Sequence, residues 1–189
     1  MGLLYLVRHA LTRPDPARNM AEWELDPAGA ADLARLAALP VWAGAGQRIV
    51  CSSEPKARLT AEAIRAAYGL PPVAAYDELR EIKKAGWTDR HDEVMADLFA
   101  RPDEPALPGW ETAAQAGARF GGCVARILAE SAGADLVLVS HATVLSIYVA
   151  ALLGQDRVQY EDWRSIGFPD YAVVDVGARR IIQPFAAWR

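Results

Sequence analysis

Short apolar runs alternate with segments of helical period along this 189-residue chain, and that order predicts an α/β sandwich with a largely parallel sheet. Three observations carry the prediction. The runs Leu3 to Val7 and Leu136 to Val139 are continuously apolar, as strands covered on both faces are. Helix signals lie between the runs: Asp26-Pro27 as N-cap and first-turn proline, Pro55 as a second start, Gly69 as a stop. No linker, internal repeat or low-complexity tract interrupts the chain, so residues 1–189 read as one domain.

In order, residues 3–8 form the first strand, and Pro14 and Pro16 forbid regular structure after it. A helix follows Asp26, with Leu33, Leu36 and Leu39 at helical spacing, and Pro40 stops it. Residues 48–52 are a second buried strand, 55–68 a helix, and 73–76 a short third strand. From 77 to 110 charges, tryptophans and prolines are dense and apolar periodicity is weak. This stretch reads as an excursion from the sheet over the active site, with one helix near 89–100. Ala116, Phe120, Cys123, Val124, Ile127 and Leu128 form one stripe on a helix over 111–131. The fourth strand, at 136–139, leads into a helix at 143–153, and 171–176 with 180–183 make a closing hairpin through Gly177-Ala178.

Composition excludes several classes of function. At 52% hydrophobic and 23% charged the chain is globular, and a net charge of −4 argues against a nucleic-acid partner. No apolar run nears the roughly 20 residues of a membrane span. The N-terminal run reads as a strand and not as a leader, so the expected location is the cytoplasm. Cys51 and Cys123 read as buried reduced thiols, and no Cys or His spacing suits a metal. Arginine outnumbers lysine 17 to 3, a bias common in GC-rich bacterial genomes, which makes a lysine in a special place noticeable.

Ligands of parallel α/β sheets bind beyond the carboxyl ends of the strands. Strand one delivers Arg8-His9 there, strand two Ser52-Ser53 and a helix start, and strand four Ser140-His141. Two of three histidines thus share one lip with an arginine and helix N-termini, a description of a phosphate site. The third, His91, sits in a charged stretch and reads as a surface residue.

The order of these motifs resembles the histidine phosphatase superfamily, in its phosphoglycerate-mutase-like branch. Leu6-Val7-Arg8-His9-Ala10 matches the opening strand-Arg-His-Gly. Ser52, Ser53, Lys56-Ala57 and Thr60-Ala61 follow a Ser-Ser-Pro-x-x-Arg-Ala-x-x-Thr-Ala pattern. Leu79-Arg80-Glu81 precedes Gly86-Trp87, and Ser140-His141-Ala142 closes the set. The resemblance implies a three-layer sandwich, its mostly parallel central sheet flanked by helices. It also implies a metal-independent phosphomonoester hydrolase, without cofactor, acting on a small phosphorylated metabolite. His9 would be the nucleophile that becomes phosphohistidine. Arg8, Lys56 and His141 would bind the non-bridging oxygens, and Glu81 would protonate the leaving oxygen and then activate water. Glu78 and Asp89 compete for the acid's role. Arg58 competes with Lys56 but lies roughly 200° around the helix from it. Thr12 and Arg13 are further candidates for phosphate contact.

Departures from the pattern carry consequences. Ala10 and Ala142 stand where glycine is usual, so both turns must avoid positive φ. Lysine for arginine at position 56 exchanges a two-pronged fork for a point charge. Asp15 would repel phosphate if it faced the site. The alternatives are a phosphoglycerate-mutase-type phosphotransferase, for whose enclosing loops 189 residues leave little room, and a non-catalytic phospho-ligand binder. Trp87, His91, Phe99, Arg101 and Trp110 either flank the substrate or pack the excursion onto the domain. Trp163, Phe168, Phe185 and Trp188 would cover a sheet edge or the face of a homodimer.

Overall fold

The computed structural model describes residues 2–45 and 48–188. Six strands form one sheet: β1 (Leu4–Arg8), β2 (Arg48–Ser52), β3 (Ala74–Tyr76), β4 (Leu136–Ser140), β5 (Asp170–Asp175) and β6 (Arg180–Gln183), in the order β3-β2-β4-β1-β5-β6. The first four run parallel, with Leu4 opposite Leu136 and Arg8 opposite Ser140, while β5 and β6 close one side antiparallel. The mostly parallel sandwich is therefore present, and the last two strands form the expected hairpin.

Pleating explains why β1 and β4 are apolar throughout. Leu4, Leu6, Leu136 and Leu138 point to one face, where they meet α4 (His91–Ala100), α5 (Ala113–Glu130) and α6 (Ala142–Leu152). Tyr5, Val7, Val137 and Val139 point to the other, against α1 (Ala30–Ala37), α2 (Val41–Ala45) and α3 (Pro55–Tyr68). Each fully buried leucine or valine contributes about 1.5–3 kcal/mol, so both layers are bound firmly to the sheet.

The helix signals behave as their chemistry requires. Asp26 accepts the Ala28 N–H at 2.9 Å, although the first turn is a 3-10 turn, Pro27–Gly29, before α1 proper. Gly69 ends α3 at φ 61°, a left-handed conformation that costs glycine little. Thr112 and Gln115 form a reciprocal capping box at the start of α5. Two short helices were not legible: α2, directly after Pro40, and α7 (Tyr160–Ser165). Both are short and make tertiary contacts, with Trp42 wholly buried beneath the sheet, so periodicity could not reveal them.

Leu79, Val94, Met95, Leu98 and Phe99 bury the 77–110 segment in the core, and one side chain fixes its backbone around Glu81. Arg119 of α5 donates to the carbonyls of Glu78 at 2.7 Å, Arg80 at 3.1 Å and Glu81 at 3.3 Å, while Glu111 grips the same guanidinium at 2.7 and 2.8 Å. This half-hidden pair fixes the backbone on either side of Glu81. Arg119→Leu is expected to destabilise the fold by about 3–5 kcal/mol, the cost of stranding a buried charge. It should also lower kcat more than it raises KM; thermal melts and steady-state kinetics check both.

The C-terminal aromatics are used within the chain. Phe99 meets Trp163 at 5.7 Å, Tyr171 meets Trp188 at 6.5 Å, and Phe185 packs on the core. Trp163, Phe185 and Trp188 thus pack against the two core layers of their own chain, partly buried.

Candidate active site

The carboxyl ends of β1, β2 and β4 open into one cavity of ≈ 780 Å³. All three histidines and all three lysines of the chain line it. The His9 N–H donates to the Ser140 carbonyl at 3.0 Å, which carries the β1–β4 ladder one residue past the strand ends. Parallel pairing in that register sets His9 beside His141, with ring centroids 5.0 Å apart.

His9 is 6% exposed, and its Nδ1 lies 2.7 Å from the Ala10 carbonyl oxygen. A carbonyl only accepts, so Nδ1 carries the proton and Nε2 of the neutral ring bears the free lone pair. Burial, with Arg8 and Lys56 nearby, holds the His9 pKa well below 6.5. Burial and His9 do the same to His141. His141 Nε2 shares a 2.9 Å hydrogen bond with Ser52 Oγ. Its buried Nδ1 has no hydrogen-bond partner among the described residues.

Both folded pKa values lie below the unfolded value, so the unfolded chain binds more protons as pH falls through 6.5. Stability is expected to fall progressively from about pH 6.5 downward, and the slope to shrink in His9→Ala; Tm against pH measures it. His9 stays neutral over the same range, so its protonation is expected to affect activity only well below pH 6.5.

Arg8 lays its guanidinium 3.2 Å from the centre of the Phe168 ring and donates to the Ile166 carbonyl. Lys56 sits in the first turn of α3, 5% exposed, while Arg58 is exposed. The helix register therefore puts Lys56, not Arg58, on the cavity wall. Its Nζ donates to the Met20 carbonyl at 2.6 Å and pairs with Glu54 Oε2 at 2.5 Å. Glu81 accepts the Ile82 N–H at 2.9 Å and, more weakly, the Thr143 N–H at 3.4 Å in the first turn of α6.

The competing acids fall elsewhere. Glu78 pairs with Arg126 at 3.0 Å on the outside, and Asp89 lines the cavity but accepts from Trp87 Nε1 at 2.7 Å. Thr12 is buried on the wall. Arg13 is turned away: its side chain is 70% exposed and reaches toward Asp26, outside the cavity. Local spacing from His9 does not decide direction here, because an isolated bridge between Thr12 and Leu25 sends alternate residues to opposite sides. Asp15 binds its own loop through the Ala17 N–H at 2.9 Å and does not face the cavity. Ala10 and Ala142 keep ordinary φ, as their lack of glycine required.

His91 corrects the surface reading. It is half-buried, lines the cavity and receives the Lys84 ammonium at 3.3 Å. Lys84 itself has its pKa lowered by burial, with Lys56 and Arg8 adding to the effect. Trp87 and Trp110 also line the cavity, whereas Phe99 is core and Arg101 pairs with Asp97 and Glu104 outside. Residues the motifs passed over include Glu54, Lys84, Trp23 and Phe168. Glu54 lies directly past the β2 lip, so the strand-end rule reaches it; the other three have no local signal.

Among the described residues no group of three or more His, Cys, Asp or Glu side chains could hold a metal ion. No helix among the described residues is long and apolar enough to cross a membrane.

The sequence pattern of the histidine phosphatase superfamily (branch 1) matches residues 4–177. The chain belongs to this superfamily. Members work through a phosphohistidine intermediate and need no metal. No curated protein matches the sequence. Solved histidine-phosphatase folds resemble it at low identity, which establishes the common architecture. A phosphoserine phosphatase variant of Entamoeba histolytica, in complex with phosphoserine, superposes with TM-score 0.77 at 18% identity, covering 99% of this chain and 98% of that one. YhfR of Bacillus stearothermophilus gives 0.76 at 21%, covering 97% and 95%. A mycobacterial glucosyl-3-phosphoglycerate phosphatase with inorganic phosphate gives 0.69 at 24%, covering 100% and 97%.

Proposed function

We propose that this histidine phosphatase hydrolyses a small phosphomonoester in two steps at His9. The observation that carries the reading is the facing pair of buried, neutral histidines with Arg8 and Lys56 around them at the lip of β1, β2 and β4. His9 Nε2 attacks phosphorus, and the P–O bond to the alcohol breaks. Glu81 gives its proton to the departing oxygen. Water then attacks the phosphohistidine, Glu81 takes its proton, and inorganic phosphate leaves with His9 neutral again. The cations Arg8 and Lys56, with the neutral ring of His141, hold the non-bridging oxygens while charge shifts across them, a role in which positioned charges and hydrogen-bond donors supply most of the acceleration. Thr12 contributes a hydroxyl to the same wall.

A lone phosphate would occupy little of ≈ 780 Å³, so the alcohol part of the substrate has room among Trp23, Trp87, Trp110 and the Lys84–His91 pair. Two free, buried thiols accord with a reducing cytoplasm. Hydrolysis of p-nitrophenyl phosphate in EDTA, followed by a panel of phosphorylated metabolites, tests the reading. Turnover in EDTA is the expected result. Phosphate binding without any turnover would favour a phospho-ligand binder, and transfer from a bisphosphate without net hydrolysis would favour a mutase.

A further inference from the structure

The two-step scheme leaves unused one buried carboxylate of the cavity wall. Glu54 is 7% exposed and meets site residues from three other parts of the fold. Its Oε2 lies 2.5 Å from Lys56 Nζ in α3. Its Oε1 accepts the Glu81 N–H beyond β3 at 2.9 Å and lies 3.6 Å from His141 Nε2 beyond β4. Arg8 at the end of β1, His9 just beyond it, and Arg80, Lys83, Lys84, Asp89 and His91 farther along the wall complete the charged and titratable groups of the surrounding cavity.

We propose that Glu54 is a proton-linked positioning residue of the phosphate site: as a carboxylate it holds Lys56 and the backbone of Glu81, and it takes up a proton when a phosphoryl group engages Lys56 and His141. The inference rests on the reading of Arg8, His9, Lys56 and His141 as the phosphate site.

An anion that touches both Lys56 Nζ and His141 must come close to a carboxylate lying within 4 Å of each. Two anions at such separation do not both stay charged at neutral pH unless a cation is shared between them. Lys56 is that cation, and it is a single point charge. Burial already pushes the Glu54 pKa up, and the attraction of Lys56 is the chief force opposing it. An anion that draws on Lys56 weakens the opposition, so a proton from solvent adds to Glu54. The resulting carboxyl turns from acceptor to donor and can offer its O–H to the bound anion. No other bond changes.

The test is calorimetry with sulfate, which stays dianionic through the neutral and alkaline range, in buffers of differing ionisation enthalpy. Wild-type protein is expected to take up close to one proton per sulfate. Its affinity should fall by up to about tenfold per pH unit above the Glu54 pKa. Glu54→Gln keeps an oxygen for the Glu81 N–H but cannot take the proton. This variant should lose the uptake, flatten the pH dependence and bind sulfate more tightly above neutral pH. Unchanged uptake in Glu54→Gln would place the proton on His9 or His141 and overturn the inference, as would binding to wild type with no uptake at all. Failure of the underlying phosphate site reads differently: sulfate would then not bind, or would bind equally well to Arg8→Ala and His141→Ala.

Discussion

Replacing His9 by alanine is expected to abolish turnover while leaving the fold intact. The imidazole makes a single local hydrogen bond, to the carbonyl of the next residue, and supports no tertiary partner through it. Its removal takes the proposed nucleophile from a covalent mechanism, for which the loss is at least about 10³-fold in kcat, since only electrostatic stabilisation of direct water attack would remain. Removing a ring whose protonation is resisted by burial should also make the protein less sensitive to acid. Circular dichroism and thermal melts establish the fold, and steady-state kinetics the loss. A variant that folds normally and retains full activity would remove His9 from the chemistry.

Lys56→Ala is expected to be the second most damaging change. In the proposed phosphate clamp its ammonium supplies a point charge, and a hydrogen bond of that kind contributes roughly 1.5–3 kcal/mol. Its loss also takes away the 2.5 Å partner of Glu54, 7% exposed, so that burial favours the protonated carboxyl there. The lost clamp contact alone should lower kcat/KM by about 10- to 10²-fold. Arg58→Ala, two residues along the helix, removes an exposed guanidinium and should leave kcat/KM within about twofold. If Arg58→Ala proved damaging and Lys56→Ala silent, the helix register assigned to this wall would be wrong.

The contrast between positions 56 and 58 shows what kind of information the sequence carried. A helix begun at Pro55 and ended at Gly69 has a fixed period, so the inward residue follows from spacing alone. The continuous apolar strands β1 and β4 likewise announced burial on both faces, and the strand-end rule then delivered Arg8, His9 and His141 to one lip. Arg13 fails the same logic because it lies in an irregular loop, where direction depends on the Thr12–Leu25 bridge rather than on a period.

His91 and Lys84 were illegible for another reason. Their stretch from Lys83 to Asp92 carries no apolar period, so nothing local separates the cavity side from solvent. Tertiary contacts decide which side faces inward, among them the Arg119 clamp on the carbonyls around Glu81 and the Trp163 ring, 6.0 Å from His91. Glu54 was hidden by its motif: attention to the positive charge of Lys56 leaves the neighbouring negative charge unweighed.

The most direct test of the mechanism is to trap the phosphoenzyme. Glu81→Gln should slow hydrolysis of the intermediate, because the proposed base for water is gone, yet still permit its formation from p-nitrophenyl phosphate, whose leaving group needs little protonation. After a brief reaction and a quench in base, peptide mass spectrometry should find one phosphoryl group on the peptide bearing His9, labile to acid, and none in His9→Ala. Phosphate found on His141 or His91, or continued turnover with no phosphoenzyme in the presence of an intact His9, would contradict the account.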